Sequence, residues 1–327
     1  CVAMVGPIRA CGATPVFYRL QRDLSIDLEH VDTLLSSRTR CILTVHFFGF
    51  PADLRGVRER CDARTIALIE DSAHAFYGGA AQEPIGRMGD FAIGSLMKFF
   101  PLSDGGCLVS FRRALAPPGM RPGGVLFQVK SLLNILERAG QWSQSMLLKG
   151  ALAALAGLQR VARRSNAQLA AKMTGQSPGA ASGGIDFESA WVHTRMSAPS
   201  RSILGLANHR RAIERRRRFY QQLGAALENA PGGRSLYPQL PEGVVPYVFP
   251  FVLAQPHSSF VELWKAGVPM YRWEDVARDH CPTARDYEQS LVQFPCHQEL
   301  TDEQAEWLAL TIRAVLERCA GTEPQSA

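Results

Sequence analysis

The sequence predicts an α/β fold, with a mainly parallel sheet in a large N-terminal domain and a smaller α+β domain at the C-terminal end. Strand and helix signals alternate over residues 1–110. The strand runs there, such as "CILTV" and "IALI", are apolar without interruption, as in strands covered on both faces. From residue 245 the pattern changes to that of a compact terminal unit with its own strands and helices.

Taken in order, "TPVFYRL" reads as a strand because it is rich in β-branched and aromatic residues. "DLEHVDTLLSS" has helical spacing behind Asp27, a candidate cap. "TRCILTVHFFG" is a buried strand, "DLRGVRERCDA" a helix and "TIALIED" a second buried strand. "DFAIGSL" and "GGCLVSF" close the series. The breaker cluster "PPGMRPGG" then precedes a helical insertion at about 125–170, followed by the linker "TGQSPGAASGG". The insertion reads as helices packed on the body or on a partner subunit. Its longest uncharged run, "GALAALAGL", is too short to cross a bilayer. Membrane-surface contact is the reading set aside.

Residues 200–229 read as one long basic helix. The consecutive Arg215, Arg216, Arg217 and Arg218 point all round such a helix, so they predict a solvated face rather than a nucleic-acid stripe. "VVPYVFPFVLA" and "LVQFPCH" are strands, "SSFVELWKAGV" a helix, and "TDEQAEWLALTIRAVLERC" a helix capped at Thr301. The expected division is a large domain over 1–183, interdomain helices over 184–240 and a small domain over 241–327.

The composition of the 327 residues, 46% hydrophobic and 20% charged, is that of an ordinary globular protein, and the net charge of +6 is mild. The cysteines form no CxxC pair, which argues against zinc, and their wide spacing argues against a disulfide framework. A reducing, cytoplasmic setting is the expectation. The chain opens with Cys1 in what reads as mid-helix, as a fragment would.

The chemistry concentrates at strand ends. In an open parallel sheet, ligands bind at the carboxyl ends of the strands. "IALIEDSAHAFYGG" brings Asp71 and His74 to such an end. "DFAIGSLMKFFPLSDGG" brings Ser95 and Lys98 to another, ahead of a diglycine. A lysine leaving one strand beside a buried carboxylate on the next suits pyridoxal phosphate. The amine holds the cofactor covalently, and the carboxylate keeps the pyridine nitrogen protonated. On the turn after its strand, His74 reaches the phenolic oxygen or its surroundings, and Ser95 can donate to the phosphate. Each of these residues alone has an ordinary reading as a cap, a surface charge or a structural side chain. Their order and spacing together carry the argument.

"HFFGFPADL", "LIEDSAHA", "GRMGDFAIGSLMK" and "LSDGG" resemble the DegT/DnrJ/StrS family of sugar aminotransferases, as do "TRMSAPSRSILGL" and "FPCHQELTDEQ" further on. The resemblance implies fold type I of the pyridoxal phosphate enzymes. It implies Lys98 as the covalent anchor and proton shuttle, Asp71 as the partner of the pyridine nitrogen, His74 near the phenolic oxygen and Ser95 at the phosphate. It implies transfer of an amino group from glutamate to a ketosugar, nucleotide-linked, in a homodimer with both sites at the interface. Many members carry an asparagine before the Arg-Met pair that reaches the partner's phosphate; His193 stands there in this sequence. The interval from Ser95 to Lys98 is shorter than is common.

In the family a Gly-Thr-x-Ala phosphate turn and a ring-stacking aromatic residue precede the point at which this sequence begins; weak cofactor binding and little activity are expected if the chain is the whole protein, and a competent full-length protein if it is a fragment. Arg272 and Trp273, in "PMYRWED", are candidate substrate contacts. Two rivals stand beside the aminotransferase. One is a sugar dehydratase of the same cofactor class, in which histidine replaces the lysine. The other is a non-catalytic homologue serving as a dimer partner.

Overall fold

The computed structural model describes residues 2–78, 84–116, 119–142, 187–273 and 281–321. Helices α1 (Val5–Ala10) and α2 (Leu28–Leu34) lead into strand β1 (Cys41–Val45), helix α3 (Arg55–Arg64) and strand β2 (Ala67–Asp71). Strands β3 (Phe91–Ser95) and β4 (Gly106–Val109) follow. The four strands form one sheet in chain order; β1, β2 and β3 are parallel, and β4 returns antiparallel along β3. The predicted α/β class and mainly parallel sheet are therefore observed. Pairing of Val45 with Asp71 and of Asp71 with Ile93 puts the carboxyl ends of the three parallel strands side by side.

Local chemistry accounts for these elements. Asp27 Oδ1 accepts the His30 N–H at 3.0 Å and caps α2 as expected. The crossover helix α3 buries Val57 and Cys61 against Ile42, Ile66 and Leu68, with Val31 of α2 completing that cluster. "TPVFYRL" is not a sheet strand; Leu20 makes only an isolated bridge to Ile26. Pro15 has no N–H to donate, the Arg19 N–H is taken by His30 Nδ1 at 3.0 Å and the Leu20 N–H by Cys281 Sγ at 3.5 Å, so these donors are spent away from a ladder.

Helix α4 (Val125–Trp142) accounts for the first part of the expected insertion; the rest lies outside the described residues. Strands β5 (Arg121–Pro122) and β6 (Thr194–Arg195) pair in parallel beside it. The single basic helix expected over 200–229 is two helices, α5 (Ala198–Leu206) and α6 (His209–Leu227). The break follows from capping: Asn208 Oδ1 accepts the Arg211 N–H at 2.9 Å and starts a new helix.

The arginine run on α6 is not a solvated face either. Arg216 is 2% exposed. Arg215 and Arg217 donate to the carbonyls of Gln298 and Pro241 at 3.1 and 2.9 Å, and Arg218 pairs with Asp302. Consecutive positions do point round the helix, and most of those directions meet protein.

Beyond α6, strands β7 (Gly233–Ser235), β8 (Val248–Leu253), β9 (Tyr271–Arg272) and β10 (Leu291–Pro295) form an antiparallel sheet in the order β7-β8-β10-β9. Helices α7 (Pro256–Lys265), α8 (Pro282–Ser290) and α9 (Asp302–Gly321) complete the chain. Thr301 and Gln304 cap α9 reciprocally, side chain to backbone N–H, at 2.9 and 3.2 Å. The largest core cluster joins α6, α9 and this sheet, and it also takes in Leu24, Phe48 and Phe50 from the first half of the chain.

Asp90, just before β3, stitches the first sheet to α3. Its carboxylate accepts the Leu68 N–H at 2.8 Å, Arg58 Nη1 at 3.0 Å and Arg113 Nε at 2.9 Å. Burial alone would raise its carboxyl; these donors outweigh burial and hold it down at about 2. A carboxyl lower in the folded than in the unfolded chain stabilises above its unfolded value, and that stability is lost as pH falls through the folded one. The window here runs from about pH 4 down to about pH 2 and is worth about 2 kcal/mol. Asp90→Asn is expected to remove this part of the acid dependence and to cost about 3 kcal/mol at neutral pH, read by urea denaturation.

Candidate active site

Strand β2 delivers two carboxylates to opposite faces. Glu70 turns inward and is 1% exposed. It accepts His46 Nε2 at 2.9 Å, the Gly86 N–H at 2.7 Å and the Gly89 N–H. His46 Nδ1 accepts the Ala52 N–H at 3.0 Å, which leaves Nε2 as the donor to Glu70. Burial would raise the Glu70 carboxyl, but the bonds from His46, Gly89 and Gly86 hold it below the usual range. Glu70 and His46 therefore hold the ends of β1 and β2 and the 84–89 loop in place.

Asp71 turns the other way. One carboxylate oxygen accepts the Ala73 N–H at 2.9 Å, turning the chain after the strand. The other makes no hydrogen bond among the described residues.

Lys98 ends the 3₁₀ turn Leu96–Lys98 that follows β3, and it is half-buried. Burial pushes its amine below the ordinary lysine range, while the Asp71 carboxylate works in the opposite direction. The two groups thus feel one another, yet they form no direct ion pair. His74 joins them. Its ring stacks on Tyr247 at 4.7 Å between centroids, and its Nδ1 faces the Phe48 N–H at 3.4 Å. Burial, and then the charge of Lys98, hold His74 well below the usual histidine range, so its imidazole is neutral. The amine of Lys98 lies 5.8 Å from the centroid of the same Tyr247 ring.

Lys98, Asp71 and His74 therefore come together. Ser95 ends β3 three positions before Lys98, and its hydroxyl has no partner among the described residues. His193 is not brought to them within this chain; it is exposed on the turn before β6, where its carbonyl accepts the Arg121 N–H at 2.7 Å. Of the expected substrate contacts, Trp273 packs edge-on against Phe47 and Phe48 at 5.3 and 5.6 Å, behind His74. Arg272 lies over the Phe260 ring at 3.9 Å and donates to the Pro256 carbonyl, facing α7.

The turn "HFFGF" is built for this wall. Phe48 is fully buried at φ 57°, a left-handed conformation that costs a bulky residue free energy and recurs at functional sites. Gly49 follows at φ 102°, and a Cβ there would lie 2.5 Å from the Val245 carbonyl oxygen.

After Lys98, Asp104 gathers the Ser103, Ser131 and Ser200 hydroxyls at 2.8, 2.9 and 3.1 Å and the Ser197 N–H at 2.8 Å. This ties the diglycine loop to α4 and α5.

Tyr247, Phe48 and Asp104 escape a reading of the sequence for site residues. Tyr247 reads as an ordinary residue inside the strand "VVPYVFPFVLA".

Residues 1–117 match the sequence profile of the DegT/DnrJ/EryC1/StrS aminotransferase family, which bears out the resemblance over that stretch. A GDP-perosamine synthase of Vibrio cholerae is 32% identical over 112 residues, covering 33% of this chain and 30% of that protein. The aligned stretch spans about a third of the length of the curated relatives it matches. Among solved structures, the aminotransferase TlmJ from Streptoalloteichus hindustanus has a TM-score of 0.62 at 20% identity, covering 96% of this chain and 76% of that one. A putative sugar aminotransferase from Streptococcus pneumoniae, solved in its PMP form, has a TM-score of 0.63 at 16% identity, covering 95% and 78%. The fold is shared with these proteins.

Proposed function

We propose, with the aminotransferase-family match over residues 1–117 as the premise, that the chain carries the lysine and carboxylate of a pyridoxal phosphate site that moves an amino group from glutamate to a nucleotide-linked ketosugar. The observation that supports it is the meeting of a half-buried lysine and a buried carboxylate that influence each other without pairing. A salt bridge would leave nothing to bind; a gap between the two charges suits a ring with a cationic nitrogen at one end and a carbonyl at the other.

The other residues fit that group as well. Among the described residues the buried Ser72 hydroxyl, the Ser95 hydroxyl and one Asp71 oxygen have no hydrogen-bond partner. When bound, pyridoxal phosphate supplies an electron-poor ring that takes up charge from a carbon losing its proton.

Lys98 would hold the group covalently through Nζ and, once freed, carry a proton on that atom. Its depressed affinity for protons makes the neutral, basic amine more available at working pH. Asp71 would keep a cationic nitrogen charged. His74, neutral and held in a stack by Tyr247, would offer a hydrogen bond without adding charge. His193, exposed and away from this group, is assigned to the site of a second copy. Exposed apolar side chains are available to that copy: Leu108 and Phe111 near the end of β4 are 50% and 60% exposed, and Val125 and Leu126 of α4 78% and 85%. A cytoplasmic location belongs to the same proposal. Among the described residues no helix is long and apolar enough to cross a membrane.

An absorbance scan tests the reading. Incubation with pyridoxal phosphate is expected to give a visible band that glutamate bleaches and that Lys98→Arg lacks. Protein absorbance alone would point instead to a non-catalytic partner. Light scattering is expected to report a dimer that Leu126→Glu weakens.

A further inference from the structure

We infer that Arg216 is the positioning residue of this site: it brackets the turn carrying Lys98 together with the Pro246–Tyr247 segment that faces it, and so fixes where the amine stands against the Tyr247 ring. The inference rests on Lys98 having the role proposed above.

Arg216 is buried on α6 without a carboxylate partner among the described residues. Its Nε donates to Gln298 Oε1 at 2.7 Å, and its Nη1 to the carbonyls of Tyr247 and Pro246 at 2.9 and 3.2 Å. Its guanidinium lies over the Phe99 ring at 4.6 Å. Burying a cation against neutral acceptors is costly, and an apolar side chain would fill the space without that cost. A planar fork does what an apolar side chain cannot, which is to bind several chain segments in fixed relative positions.

Here the segments are those of the site. Phe99 directly follows Lys98. Arg216 holds its ring, and Gln298, itself held by Arg216, donates Nε2 to its carbonyl at 2.7 Å. Tyr247 is held at its carbonyl by Arg216 and at its N–H by the Phe48 carbonyl at 2.8 Å. Its ring is thereby set against both His74 and Lys98. The Arg216 charge is felt by Tyr77, Tyr247, Cys296 and His297, whereas Lys98 responds to its burial and to Asp71. Arg216→Lys keeps a cation on α6, so an effect of that change on Lys98 reads position rather than charge.

The test uses the whole chain without cofactor. Lysine is scarce here, limited to Lys98, Lys130, Lys149, Lys172 and Lys265, so ¹³C-dimethylation gives a sparse NMR spectrum in which Lys98→Arg assigns the Lys98 signal. In the parent chain that signal is expected to titrate below the ordinary lysine range. In Arg216→Lys, which keeps the charge and loses the fork, it is expected to rise toward that range as the turn loosens and the amine meets water. Gln298→Leu, which cuts the arm to the Phe99 carbonyl and the Arg216 Nε bond but leaves the Nη1 bonds to Pro246 and Tyr247, is expected to move it part of the way. A folded Arg216→Lys with the parent Lys98 titration overturns the inference. If that variant does not fold, an unmoved Lys98 signal in Gln298→Leu overturns it. None of these readings needs the cofactor, so an absent visible band would reject the proposed activity and leave the bracket to be judged separately.

Discussion

Lys98→Ala is expected to lower single-turnover conversion of glutamate to its keto acid by at least about 10⁴-fold while leaving the fold intact. Two effects add. On the proposed function, the variant would lose the covalent tether and the amine that would carry a proton between donor and acceptor carbons. Stability should hardly change, because the Lys98 amine makes no hydrogen bond or ion pair in the described structure that its loss would leave unpaired. Its surroundings already disfavour its charge. Thermal unfolding of the variant checks that half of the prediction, and stopped-flow with glutamate the other. Asp71→Asn is the milder companion. It removes the carboxylate that raises Lys98, so the Lys98 titration is expected to move further down, with a rate loss of about 10²-fold.

Glu70→Ala is expected to cost about 4 kcal/mol in urea denaturation, the largest stability loss of any single change considered. Three donors converge on the buried Glu70 carboxylate, from His46, Gly86 and Gly89. Truncation strands all of them away from water. Glu70→Gln keeps the shape but turns an amide N–H toward one of those donors, so about half the loss is expected. A cost below about 1 kcal/mol for Glu70→Ala would show that the cluster is solvated on opening and holds nothing in place.

The element order and the Lys98–Asp71–His74 grouping were legible because they follow from local pattern and from where parallel strands end. "LIEDSAHA" advertises a strand that stops in polar residues, and a parallel neighbour must stop beside it. The division of labour between Glu70 and Asp71 was not legible. Strand alternation puts them on opposite faces, but only the fold decides which face holds His46. Arg216 was misread for a related reason. Four equal residues in a row carry no periodicity, and which of them meets Gln298 and Phe99 depends on contacts made more than eighty residues away. Tyr247 was hidden because its role comes from a backbone pinned at both ends by residues remote in sequence.

The large cluster that takes Phe48 and Phe50 into the same interior as Phe219, Phe249 and Ile312 has a thermodynamic corollary. The turn after β1 cannot leave the second sheet without exposing aromatic surface from both, so the β1 end and the C-terminal unit should melt together in calorimetry. The residues beside His74 would then draw their rigidity from the far C-terminal helix, and losing that helix would blunt the chemistry at a distance.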